Sequence, residues 1–445
     1  MRLASGGACA TLVAIGVCAL ALSLSCPPQD VRGPVGEPVR DSEHITLFFT
    51  GSELGSLKPC GCSGGQLGGL ERRASIFAAV PKAKRLIVDT GALIRNDGEQ
   101  DQIKFRIFFE AFKLLGYDLV HLTSQDMTTA ATLGMLTEDD RPFRIISAHE
   151  QGADLPRTFA KDFTAGGLAV TVNIAALGPE TGGADQIAAL FPDNNGMEAV
   201  NVLIVSDNDG RTARDILAAV PPVVDCVICP SDSDEPQLLS EPEARPLAFS
   251  TGRFGRYVCR LVVTVPRQRG PAVLRFEAVP VGETLPSDKT LAELYQRYQQ
   301  LVKDGNLLEK YPRIPLPGDF AFTGSKACGK CHEHEYGKWN TQAHAAALAT
   351  LKKAGSDHDP ECVICHVVGM EYASGFITEE QTPHLKDVGC ENCHGPGSEH
   401  VQTAGQAKTT QPKMTCLNCH TPEHSGGFAG HEEEFMKKIV HWREP

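Results

Sequence analysis

The chain has 445 residues, enough for two or three domains, and its 42% apolar and 22% charged residues are the balance of a folded globular protein, not of a disordered one. The formal charge of −13 argues against nucleic acid as a partner and for basic protein surfaces.

Residues 1–26 carry one early arginine, an uncharged stretch from Thr11 to Leu24, and small residues before Cys26 and a Pro-Pro pair. This reads as a cleaved secretory signal, too short to be a permanent membrane span. The string LSLSC is a loose lipoprotein cleavage box in which Cys26 would be acylated and attach the protein to a membrane. Ser23 departs from the usual leucine there, and an ordinary signal leaving Cys26 as a free thiol is the other reading. Residues 27–41, rich in Pro, Gly and Val, read as a linker.

Residues 42–285 alternate between two patterns. HITLFFT, RLIVDT, DLVHL, LAVTVNIAAL and VNVLIV are apolar, β-branched runs of strand length. ERRASIFAAV, QIKFRIFFEAFKLLG and RTARDILAAV repeat apolar residues at helical spacing. The alternation predicts an α/β layered sandwich, and the helix-free succession RPLAFST, RYVCRLVVTV and AVLRFEAV predicts an antiparallel ending near Val281. Residues 286–320 form a helical linker, with Leu291, Leu294, Tyr295, Tyr298, Leu301 and Val302 on one helix face before the prolines at 312, 315 and 317.

Residues 321–445 are of another kind, small, helical or irregular, with many Gly and Pro and few long apolar runs. In this segment two cysteines stand three apart with a histidine directly after the second at four places: CGKCH, CVICH, CENCH and CLNCH. Cys-x-x-Cys-His attaches c-type haem: the thiols form thioethers to the porphyrin and the histidine becomes an axial iron ligand. Zinc ribbons also use Cys-x-x-Cys but do not require the histidine. Histidine is 15 of 445 residues, so its chance appearance after all four pairs has odds of roughly one in a million. Four covalently bound c-type haems follow, attached at Cys328 and Cys331, Cys362 and Cys365, Cys390 and Cys393, and Cys416 and Cys419, with His332, His366, His394 and His420 as proximal ligands. So short a segment cannot bury a core of its own side chains, so haem loading and folding are expected to be coupled.

The strings FTGSKACGKCHEHEYGKWNTQAHAAAL, TPHLKDVGCENCHGPGSEHV and CLNCHTPEHSGGFAGHEEEFMKKIVH make this segment resemble the cytochrome c554 family of multihaem electron carriers. The resemblance implies electron transfer in the periplasm or at the cell surface, with redox proteins as partners. It also implies distal ligands: His344 and His400 fall on the family's distal positions and His441 on a terminal histidine of related sequences. For the fourth iron His384 is preferred and His358 is the alternative, while His334, His424 and His431 are left as surface residues. Relatives can contain one five-coordinate iron, which would bind a small molecule, so a haem enzyme acting on nitrogen oxides or hydroxylamine is a rival reading.

The segments ITLFFTGSELGSLKPCGCSGGQLGGLERRASIF, LIVDTGALI and STGRFGRYVCRL resemble calcineurin-like metallophosphoesterases of the 5′-nucleotidase and thiosulfohydrolase group. Such enzymes hold two metal ions on carboxylates and histidines at strand ends. Where the family has Asp-x-His this chain has Ser52, Glu53 and Leu54, and where it has the Asp of Gly-Asp this chain has Ala92. Gly-Asn-His-Glu is replaced by Thr123, Ser124, Gln125 and Asp126, the later histidine falls near Ser206 or Asp207, and Gly-His-x-His falls across Cys229 to Ser233. The expectation is a degenerate domain without catalysis, used for docking.

Cys60, Cys62, Cys226 and Cys229 would converge at the old metal centre in such a fold, where four thiolates suit zinc or an iron-sulfur centre. Disulfides or free thiols are the simpler reading in an oxidising compartment. A hydrolase using Cys60, Cys62, Asp89 and Asp126 is a second rival. The whole reads as an exported tetrahaem electron carrier, leaning away from enzyme, whose subunits could stack to extend the haem chain.

Overall fold

The structure, a computed structural model, describes residues 44–59, 65–137, 141–149, 155–179, 183–192, 198–206, 211–266, 270–410, 415–421, 424–425 and 427–442. The expected signal and linker, with Cys26, lie outside the described residues, as do Cys60, Cys62 and Asp207.

The first half of the α/β domain runs β1 (His44–Thr50), α1 (Leu70–Ala78), β2 (Arg85–Asp89), α2 (Glu99–Leu115), β3 (Leu119–His121), α3 (Ser124–Thr132) and β4 (Arg144–Ile146). It continues with β5 (Thr158–Ala165), β6 (Leu168–Leu177), α4 (Ala184–Ala188), β7 (Glu198–Val205), α5 (Ala213–Ala219), β8 (Cys226–Cys229), β9 (Leu247–Ser250), β10 (Tyr257–Thr264) and β11 (Val273–Pro280). Two sheets form, in the orders β11-β10-β1-β2-β3-β4 and β5-β6-β7-β8-β9. Central strands such as β1 and β8 are buried almost throughout because both their faces are covered. The edge strands β5 and β11 alternate exposed and part-buried residues instead.

Ile45, Leu47 and Phe49 of β1 meet Val172, Ile174, Val202 and Ile204 of the second sheet in the layer between the sheets. Helices α1 and α2 cover the outer face of the first sheet, and α4 and α5 that of the second. The result is a four-layered αββα sandwich, the α/β layered class expected from the alternation. One detail differs. β9 pairs parallel with β8 in the second sheet, so the antiparallel ending consists of β10 and β11 against β1 and lacks β9. Strand order is not encoded in periodicity, which marks β9 as a strand without naming its neighbour.

Helix α2 buries Phe105, Phe108, Phe109 and Phe112 at helical spacing, carries Glu99 and Asp101 in its first turn, and ends at Gly116. Gly116 has φ 71°, a left-handed C-cap that glycine adopts without strain. Helix α6 (Lys289–Asp304) starts at Asp288, whose carboxylate accepts from Leu291 N at 3.0 Å, and buries Leu291, Leu294, Tyr298 and Val302 against α1 and α2. Leu301, predicted on that face, is 36% exposed.

A short helix, α7 (Leu307–Lys310), joins the two parts. Leu307 enters the core under α2 and α6, while its neighbour Leu308 enters a separate core of the C-terminal segment. That segment contains the short helices α8 (Ser325–Cys328), α9 (Glu333–Trp339), α10 (Ala347–Ala354), α11 (Pro360–Val363), α12 (Cys390–His394), α13 (Ser398–Gln402) and α14 (Glu432–Lys438). Its side-chain core, unexpected from the sequence, has nine members: Leu308, Leu348, Leu351, Val363, Val367, Val368, Met370, Phe376 and Leu385. Residues 42–445 form one compact unit. Among the described residues no helix is long and apolar enough to cross a membrane.

Candidate haem sites and the α/β cleft

Each Cys-x-x-Cys-His motif folds as a single helical turn, which brings residues three and four apart to one side. His332 N donates to Cys328 O at 3.0 Å and His420 N to Cys416 O at 2.8 Å, while Cys390–His394 is α12 itself. The second, third and fourth turns and their neighbours border a cavity of about 1830 Å³ lined by Cys362, Cys365, His366, Cys393, Cys416, Cys419, His420 and His344, among others.

Three motif histidines have a second imidazole opposite. Ring centroids are 6.0 Å apart for His332 and His400, 6.4 Å for His420 and His344, and 6.2 Å for His394 and His441. A metal ion between two imidazoles, each about 2 Å from it through a ring nitrogen, places the centroids about 6 Å apart. The tautomers agree with such a role. Nδ1 of His366, His400 and His441 lies 2.8, 2.7 and 2.9 Å from the backbone oxygens of Ala347, Ala407 and Ile439. Since a carbonyl only accepts, each Nδ1 carries the proton and each Nε2 keeps its lone pair for a metal. Burial lowers the pKa of His344, His366, His394 and His420, holding them in the neutral, ligating form at neutral pH. The residues present therefore fit c-type haem.

The thiols of Cys328 and Cys390 are in hydrogen-bond contact, and so are those of Cys365 and Cys419. The first site thus adjoins the third and the second adjoins the fourth. His366 stands apart: among the described residues no imidazole faces it at the separation of the other three pairs. His384 is exposed, and His358 is half-buried with its Nε2 3.7 Å from Asp357. His424, read from the sequence as a surface residue, lines the cavity near His366, with Nδ1 2.9 Å from the Thr421 hydroxyl. Its surroundings in the chain, Thr-Pro-Glu before it and Ser-Gly-Gly after, gave no sign of this.

In the α/β domain, the positions aligned with metal ligands gather at one place. Ser52, Leu54, Ala92, Thr123, Gln125, Ser206, Pro230 and Ser231 line a cleft of about 450 Å³ with Ile94 and Arg95. Ser52, Leu54 and Ala92 have φ of 50°, 48° and 59°, a left-handed backbone unusual for side-chain-bearing residues. The nearby carboxylates are bound internally. Glu53 accepts from Arg73 Nη2 at 2.5 Å with both side chains fully buried. Asp89 accepts from the Thr50 hydroxyl at 2.6 Å and Gly91 N at 2.9 Å, and burial with Glu53 nearby pushes its pKa up to about 8. Asp126 caps α3 and accepts from Ala92 N and Leu93 N at 2.8 and 3.0 Å. His121, which sequence reasoning passed over, bridges Thr90 O at 2.8 Å and Ser206 Oγ at 2.7 Å, and burial lowers its pKa to about 4.

The expected convergence of Cys226 and Cys229 does not occur. They lie three apart on β8, where side chains alternate, so Cys226 enters the layer between the sheets and Cys229 the layer under α4 and α5. Both are free thiols, and burial raises both pKa values, that of Cys229 to about 11. Among the described residues no group of three or more Cys, His, Asp or Glu side chains is arranged to hold a metal ion.

Paired thiols, an adjacent imidazole and a second imidazole opposite define a c-type cytochrome segment. Residues 327–395 match the family described as cytochrome c554 and c-prime. Over 119 residues the chain is 37% identical to cytochrome c-554 of Nitrosomonas europaea, covering 22% of this chain and 50% of that protein. The chain therefore spans half the length of this curated relative. The structure is similar to the calcineurin-like phosphoesterase YfkN of Bacillus subtilis (TM-score 0.45, 13% identity, 58% of this chain and 97% of that one). It is likewise similar to a 5′-nucleotidase precursor of Thermus thermophilus (TM-score 0.44, 16% identity, 70% and 68%).

Proposed function

We propose that the protein is an exported tetrahaem electron carrier, working in the periplasm or at the cell surface and exchanging electrons with redox proteins. The observation that carries this reading is the set of three imidazole pairs with centroids 6.0 to 6.4 Å apart, each made of one motif histidine and one histidine from outside the motifs. Bound c-type haem supplies a one-electron iron couple. The chain's own part is to hold each group by two thioethers, to fix the imidazole tautomers through backbone carbonyls, and to keep water from the cavity. The α/β domain is a catalytically inert scaffold that docks partners, a reading supported by the lack of any carboxylate or imidazole among the described side chains that line its cleft. Lipidation at Cys26 would tether the protein to a membrane. An intact mass together with a visible spectrum tests the proposal: the mature chain plus four haems is expected, and a colourless secreted protein of peptide mass would refute it.

A second reading has its own observation. Among the described residues His366 has no imidazole facing it at the separation of the other three pairs, which favours an open iron at the second site and chemistry on a small nitrogen-containing ligand there. Paramagnetic resonance of the oxidised protein decides it: a high-spin signal removed by added cyanide supports the open site, and a wholly low-spin spectrum rejects it.

A further inference from the structure

The α/β domain grips one haem motif, the second, through a buried polar network. Helix α11 carries Cys362, and its N-cap is Asp359, 3% exposed. The Asp359 carboxylate accepts from Gln100 Nε2 at 2.8 Å, the Tyr298 hydroxyl at 3.0 Å, Gln299 Nε2 at 3.0 Å and the backbone N–H of Glu361 at 3.1 Å. An N-cap needs only the last of these. The other three come from α2 and α6, and they are held in turn, since Gln100 also donates to the Tyr298 hydroxyl at 2.8 Å and Gln299 to the Tyr295 hydroxyl at 2.9 Å. Burial and the Glu361 carboxylate raise the pKa of Asp359, while Lys104 and the donors from Gln299 and Tyr298 favour its charged form. One turn along α2, Lys104 reaches both oxygens of Glu361 at 2.6 Å, although Lys104 is only 3% exposed.

Burying an aspartate and a lysine costs free energy that apolar contact would avoid, so a domain that served only to dock partners would not need them here. Tyr295, Tyr298, Lys104 and Asp359 also line the large cavity beside Cys362, Cys365 and His366. We infer that Gln100, Lys104, Tyr298 and Gln299 are positioning residues for the second haem site, through which the α/β domain fixes the helix presenting Cys362 and sets the charge beside it. This rests on the haem reading above. It gives the α/β domain a part in tuning one electron-transfer site as well as in docking.

The test uses the full-length, haem-loaded protein and a spectroscopic redox titration. A nearby negative charge favours oxidised iron. Asp359→Asn removes one and is expected to raise the potential of a single component, by about tenfold in its reduction equilibrium, about 59 mV for one electron. Lys104→Met removes a positive charge and leaves Glu361 unopposed, and is expected to lower the same component by a similar amount. Tyr298→Phe keeps the ring but withdraws one donor from Asp359, and should lower that component less. Arg297→Ala, which breaks the exposed bridge to Glu110 between the same helices, should move none. Opposite shifts at one component support the inference, because a merely structural role would not change sign with charge. Equal shifts of all components, or none in any variant at unchanged haem content, overturn it. A mass showing no haem at all refutes the underlying reading instead.

Discussion

The α/β cleft and the haem cavity dispose of polar side chains in opposite ways. Around the cleft the carboxylates are engaged by the protein itself: Glu53 by Arg73, although Glu53 Oε1 has no partner among the described residues, Asp89 by Thr50 and Gly91, and Asp126 by the amides of Ala92 and Leu93. In the haem segment His366, His400 and His441 each give Nδ1 to a carbonyl and keep Nε2 for a metal. The difference teaches that binding capacity lies in what a fold leaves over. The carboxylates beside the cleft are largely engaged within the domain, and His366, His400 and His441 each keep a lone pair.

The strongest way to break this comparison is to withhold haem. With all eight motif cysteines changed to serine, residues 321–445 should lose protease resistance while the α/β domain keeps its circular dichroism. Loss of both together would show that the two parts do not differ as described. Next in size, His441→Ala should turn the third site from low-spin to high-spin, seen as one lost component in the paramagnetic spectrum, whereas His384→Ala should leave the spectrum unchanged. On the other side of the comparison, Phe108→Ala in α2 should destabilise the α/β domain by about 3–5 kcal/mol in denaturant unfolding while the haem absorption stays as it was.

A smaller effect sharpens the contrast through pH. Asp89 is raised from 3.8 to about 8, so the folded state holds a proton that the unfolded chain has lost between those values. Its contribution is full below about pH 4 and disappears as pH rises through 8. His121 is lowered from 6.5 to about 4, so its contribution is present above 6.5 and is lost as pH falls through 4. Asp89→Asn should flatten the alkaline decline in Tm and His121→Gln the acid one. Smallest of all, Arg297→Ala should cost under about 1 kcal/mol, since its bridge to Glu110 is solvent-exposed.

Much of this was legible in the sequence because it is local. Helix α2 announces itself by phenylalanines three and four apart, and the haem motifs are complete within five residues. What failed depended on partners. The run containing Leu247–Ser250 reads as a strand in either sheet, and only the fold gives it to β8. Cys226 and Cys229 have a spacing that converges on a helix or loop but diverges on a strand. His424 sits in a polar string that resembles any surface turn, and the grip of Gln100, Tyr298 and Gln299 on Asp359 joins residues far apart in the chain with no pattern to betray it.

The histidine pairs also interlace along the chain. His332 reaches forward to His400, His344 to His420 and His394 to His441, and every span contains one end of each of the others. No pair can be excised as a module without cutting through the remaining two. A pulling force or a protease therefore meets a knitted mesh, and shuffling single haem units between such proteins would unravel it.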